Sequence, residues 1–157
     1  KESNVPQDTL STEQVDQLPA GQDLDALVAE RVMEEAKPQV RHDDVHLEPR
    51  KSSGGNWLCW PEYDRGDVCE WVPAPFSSDM RAAWAVAEKM HKALGKRGIV
   101  FEMGNHPHDP TRAWWVNVIF AEQHGRHDTV ITHAETMPLA ICRAALKAAL
   151  SSNTGTR

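Results

Sequence analysis

Between Ala113 and Ala121 the chain reads Ala-Trp-Trp-Val-Asn-Val-Ile-Phe-Ala, and this run constrains the fold more than any other. Successive side chains of a strand point to opposite faces. Trp114, Val116, Val118 and Phe120 therefore share one face, and Trp115 and Ile119 share the other. A strand that is apolar on both sides asks for a cover on each. Residues 99–103 alternate Ile99, Phe101 and Met103 against Val100 and Glu102, and residues 129–132 form a third short apolar run. These are the neighbours of an antiparallel sheet, which needs helices to close it.

The rest of the chain supplies the helices. After Thr136, which can cap the open amides, Pro138 is tolerated in the first turn, and Leu139, Cys142, Leu146 and Ala149 recur at helical spacing. A second helix is capped by Ser77 or Ser78, runs through Leu94 and closes at Gly95. Its buried stripe is Met80, Ala83, Trp84, Ala87, Met90 or His91, and Leu94, with Arg81, Glu88, Lys89 and Lys92 in water. A third is capped by Asp23, carries Leu24, Leu27, Val28 and Val32 on one side, reaches about Ala36, and is stopped by Pro38. Trp57–Trp60 and Val68–Val72 flank a turn at 61–67 and read as a small hairpin, with Cys59 and Cys69 on facing segments.

This order predicts an α/β (α+β) chain built as an α–β–α layered sandwich, with a small antiparallel sheet covered by helices. Residues 1–22 form a flexible polar N-terminus, although Ser11-Thr12-Glu13-Gln14 can open a short helix ended by Pro19 and Gly21. Residues 23–150 are the folded domain, with a tether insert at about 37–56 that is rich in charge and then in Ser and Gly. Residues 151–157 are a disordered tail. The first helix of the domain, or a second subunit, can supply the cover for the Trp115 face.

Of the 157 residues, 40% are apolar and six are Trp, enough for a real core. A formal net charge of -6 argues against nonspecific nucleic-acid binding, which draws its affinity from neutralising phosphates. Three cysteines, no signal-like apolar start and no run of membrane-spanning length read as a cytoplasmic chain with free thiols and no membrane partner.

Four blocks of this sequence resemble a known family, the phage ABA sandwich domain. Its N-terminal Leu-Asp-x-Leu-Val-Ala-Glu-x-Val-Met stretch is matched by Leu24 to Met33, and its Pro-x-Tyr-Ser-x-Asp-like helix entry by Pro73 to Asp79, with Phe76 in place of Tyr. The Ala-Trp-x-Val-x-Glu-Lys core is similar to Ala83 to Lys89, and the closing helix is similar to Pro138 to Leu146. The resemblance covers most of Leu24 to Leu150. It implies the α–β–α fold, a phage or prophage origin, hence the cytoplasm of an infected bacterial host, and no assigned enzyme activity. The matched blocks are caps and core positions, not a catalytic centre.

No nucleophile elbow and no phosphate-cradling glycine loop occurs, and the paired carboxylates Asp43 and Asp44 lie on the tether, which cannot hold an acid and a base rigidly. No catalytic residue and no cofactor is expected. His106-Pro107-His108-Asp109 and His124-Gly125-Arg126-His127-Asp128 look like metal ligands, yet opposite ends of a hairpin lie roughly 25 Å apart. His133, at the end of the third strand, can return beside His106, His108 and Asp109. Solvated loop histidines explain the pattern as well, and no metal is expected. Cys59 and Cys69 lack the close spacing of a zinc pair, and Cys142 reads as a small core residue.

The tryptophans carry the sharper signal. Trp60, Trp71, Trp114 and Trp115 sit on strands, and Arg65, Arg112 and Arg126 sit in turns nearby. Aromatic faces beside Arg hold bases by stacking plus charge, so these seven are the candidate ligand-binding residues. Core or oligomer interface is the plainer reading of the same indoles. The expected function is non-enzymatic: a phage accessory protein, assembled as a homo-oligomer, that sequesters a nucleotide-like host immune signal. The alternative is a protein–protein inhibitor or structural accessory that docks on a host or phage protein. Third is a metal-dependent nucleotide hydrolase using His106, His108 and His133.

Overall fold

A computed structural model describes residues 10–35, 41–42, 55–62, 66–95, 100–119 and 129–153. In chain order the elements are α1 (Thr12–Gln17), α2 (Gln22–Arg31), β1 (Arg41–His42), β2 (Asn56–Glu62), β3 (Gly66–Val72), α3 (Met80–Gly95), β4 (Val100–Asn105), a 3-10 turn (Pro110–Arg112), β5 (Trp114–Ile119), β6 (Thr129–Ala134) and α4 (Met137–Asn153). The architecture is mixed α/β, with a small antiparallel sheet covered by helices, as the sequence led us to expect. The doubly apolar run is the middle strand of the sheet β4–β5–β6, with Gly104 opposite Trp115, and Trp115 opposite His133. The expected hairpin forms too, pairing Cys59 with Cys69 in register, and β1 adds a short third strand along β3.

Val116 and Val118 of β5 are fully buried and join one apolar cluster with residues of all four helices. At its centre is α4, which touches α1, α2, α3, β5 and β6. Leu139, Ala140, Ile141, Cys142, Ala144, Ala145, Leu146, Lys147 and Ala148 are all buried, so this helix is enclosed on nearly every side. Its alanines make that geometry accessible, because a methyl group lets neighbouring backbones approach where a longer chain would hold them apart. The amphipathic stripe read from sequence understates the enclosure. Thr136 does cap the helix: its Oγ1 accepts from the Leu139 N–H at 3.4 Å, and its carbonyl accepts from Ala140 at 3.1 Å.

Three helix starts differ in kind. Ser11 and Gln14 form a reciprocal capping box at α1, the signal read from the sequence. For α2 the cap is Gly21, not Asp23, with φ +155°, a conformation that glycine adopts without strain. For α3 it is Asp79, whose Oδ1 accepts from the Ala82 N–H at 2.9 Å, and not Ser77 or Ser78. Ser77 is fully buried and otherwise engaged: its Oγ accepts from the Gly21 N–H at 2.9 Å, and its own N–H donates to Asp25 Oδ1 at 2.7 Å. The serine that looked like a cap is a stitch between the starts of α2 and α3.

The stripe that α3 buries is Ala83, Val86, Ala87 and Met90. Met80 and Trp84, expected within it, are 43% and 50% exposed. With Val86 turned inward, the inward arc is centred away from position 84, and the indole is left at the helix edge.

α2 packs on α4, so it adds to the helical side of the sheet and does not cover the Trp115 face. α1 docks on α4 as well. Val15 is fully buried, the Arg143 guanidinium donates from Nε and Nη2 to the Leu18 carbonyl at 3.1 and 2.7 Å, and Lys147, only 4% exposed, pairs with Asp16. Among the described residues no helix is long and apolar enough to cross a membrane.

Candidate functional site

One end of the sheet face turned away from α4 gathers side chains that packing alone does not require. Its frame is the loop from β4 to β5. The His106 N–H donates to the Ala113 carbonyl at 2.6 Å, which closes the hairpin. Asp109 Oδ1 then accepts from the Thr111 N–H at 3.0 Å and from its hydroxyl at 2.8 Å, capping the 3-10 turn. Those bonds hold the Asp109 carboxyl below its ordinary pKa, the Thr111 side chain contributing most. The turn delivers Arg112 to β6, where Nη2 lies 3.2 Å from His133 Nδ1.

A guanidinium can only donate, so His133 accepts on Nδ1 and is neutral in this arrangement. Burial pushes its pKa down first, and the Arg112 and His106 charges push it further. The His106 ring stacks on His133 with centroids 5.8 Å apart and planes 17° from parallel. The return of His133 beside the first histidine cluster, read from sequence as a possibility, is thus realised for His106. Among the described residues no three His, Cys, Asp or Glu converge on one point, and the His133 Nδ1 lone pair faces Arg112.

Trp115 stands beside His133 in register, half-buried on the same face. Its ring lies on Gly104 of the adjacent strand: a Cβ added there would sit 2.5 Å from Trp115 Cζ2. Any side chain at 104 would displace the indole, so the glycine fixes where the ring lies. Two positions along β5, Asn117 faces the same way, and its Oδ1 is shut from solvent with no donor among the described residues. An unsatisfied buried acceptor is unfavourable by about 1–3 kcal/mol.

The sequence-predicted residues part company here. Arg112 and Trp115 come together. Trp114 faces inward and packs against the core cluster. Trp71 is 4% exposed, its ring against Gly55, where a Cβ would lie 2.2 Å from Cζ2. Trp60 is on β2, in the other sheet from Trp115, and Arg65 and Arg126 fall outside the described residues, as do His124 and His127. Gly104 and Asn117 were not singled out from sequence, yet each left a signal. A glycine inside a strand marks close approach of a neighbour, and Asn117 is the single polar residue of an otherwise apolar strand.

Neither the curated proteins nor the solved structures contain a match to the chain. A family model does match, that of the phage ABA sandwich domain, over residues 26–146. That span holds the Asp79-capped entry to α3, the sheet and most of α4, the elements that build the core just described. The chain therefore belongs to the phage ABA sandwich domain family.

Proposed function

We propose that this phage protein acts by binding and not by chemistry, and that it sequesters a nucleotide-like signalling molecule of the host's immune response. The observation that carries this reading is the joining of Arg112 to His133, with His106 stacked on that ring and Trp115 alongside. A guanidinium and two imidazoles suit a phosphate, and an indole suits a flat base. Catalysis finds less support, because the carboxylate at hand, Asp109, is engaged by its own turn.

The test is calorimetric titration of the full chain with cyclic mono- and dinucleotides, alongside native mass spectrometry of protein from infected cells. Binding that Arg112→Ala and Trp115→Ala each weaken by tenfold or more supports the reading. Absence of heat and of any carried mass would sink it.

A second reading, docking on a host or phage protein, draws on a different observation. Met80 and Trp84 lie one turn apart on α3 and are both exposed. Large apolar side chains left in water are what protein partners cover. Trp84→Lys should abolish capture of such a partner and leave nucleotide titrations unchanged; loss of both, or of neither, speaks against it. The same variant, compared by light scattering, tests whether this face joins two copies.

A further inference from the structure

We infer that Asn117 reads the base at this site, its side-chain amide meeting the exocyclic amino group of a purine nucleotide. The inference rests on the nucleotide reading above and names what that reading leaves open. Three groups lie in a row on one sheet face: the Arg112–His133–His106 cluster at the sheet end, Trp115 beside it, and Asn117 further along β5. Residues two apart on a strand share a face and lie about 7 Å apart. An exocyclic amino group about 3–4 Å from the centre of a stacked purine, with a hydrogen bond of about 3 Å beyond it, spans that distance. A phosphate at Arg112 and a ring on the exposed side of Trp115 therefore bring the edge of the base to Asn117.

The amide is suited to that task because its oxygen meets no partner among the described residues. Its Oδ1 has no donor among the described residues, and its register partners are Glu102 on β4 and, on β6, Ile131, an apolar residue 55% exposed. Turning the amide about its last torsion breaks no bond to Oδ1 and brings that oxygen toward the open face. There it accepts from an N–H of the ligand and completes an acceptor that the fold leaves unsatisfied. A site that holds a polar group for one ligand N–H rejects the analogue lacking it. Gly104 belongs to the same arrangement as a positioning residue, since it sets the lie of the indole against which the ring stacks.

The experiment compares adenosine 5′-monophosphate with purine riboside 5′-monophosphate, which has the same ring and phosphate but no amino group. Each is titrated into the full chain and into Asn117→Leu, with binding followed by calorimetry and by the indole N–H resonances. The native protein should prefer adenosine monophosphate by about tenfold, the net worth of one hydrogen bond. Asn117→Leu should bind both with the affinity the native protein shows for the analogue. Equal binding of the two by the native protein overturns the inference while leaving the nucleotide site standing. So does a preference that survives in Asn117→Leu. If neither nucleotide binds the folded native protein, the site reading itself fails and takes this inference with it. The native comparison decides by itself should the variant misfold.

Discussion

At His133 burial and the Arg112, His106 and Lys147 charges lower the pKa, against the smaller raising effect of Asp109. A histidine depressed in this way contributes stability that is present above its ordinary value of 6.5 and lost as pH falls through the folded value. Protonation would also set a cation against Arg112. Arg112→Ala should therefore move the His133 titration upward, followed by imidazole NMR; an unmoved or lower value would mean that the guanidinium does not face the ring. Asp25 shows the opposite sign. Only 4% exposed, its carboxyl is raised above 3.8 by burial, against the lowering effect of the Ser77 bonds. Its favourable contribution is present below 3.8 and lost as pH rises through the folded value. Asp25→Asn keeps an acceptor for the Ser77 N–H, so its stability relative to the native protein should grow as pH climbs above 3.8. Asp25→Leu removes that acceptor and should lose about 1–3 kcal/mol in denaturant titrations. Neither role was legible locally. Asp25 reads as an ordinary first-turn acid, and what buries it is a loop 52 residues away.

Among the elements, α1 and α4 show where local signals suffice and where they do not. The capping box of α1 is written in Ser11 and Gln14, yet a helix of 6 residues has too few hydrogen bonds to stand alone in water. Its anchors come from α4, with Arg143 on the Leu18 carbonyl and Lys147 on Asp16. Asp16→Ala leaves Lys147 buried without that partner and should raise hydrogen exchange across α1 well above that of α3. Equal exchange in the two helices would show that Val15 alone holds α1 down. In α4 the enclosure by five neighbours leaves no space for volume. Ala144→Leu should destabilise by about 1–3 kcal/mol in thermal or urea unfolding, as overpacking does. A neutral result would mean that the helix is not enclosed as described.

Across the whole molecule the two faces of the β4–β5–β6 sheet are unequal, although β5 is apolar on both apart from Asn117. Val118 is fully buried beneath the helices, whereas Ile131, on the Trp115 face, is 55% exposed. Val118→Lys should leave no folded protein, because it buries an unpaired charge. Ile131→Lys should stay within about 0.5 kcal/mol of the native stability. A large loss at Ile131 in dilute protein would mean that this face is covered in solution. What the sequence by itself determined was the set of elements and their inward residues. Periodicity, caps and breakers act over a few positions, so Thr136, the Ser11 capping box, the β2–β3 hairpin and the buried alternation of β5 could all be read from neighbours in the chain. Tertiary structure alone decided that Ser77 stitches instead of capping, that Trp84 turns outward, and that α2 lies on α4 and not across the sheet. It also decided that Arg112 and Trp115 both lie beside His133, while Trp71 is buried and Trp114 packs on the core. Each of those outcomes depends on which distant surface reaches a side chain first. A hydrogen bond or a packed methyl group acts over a few ångströms of space, however far apart its partners stand in sequence.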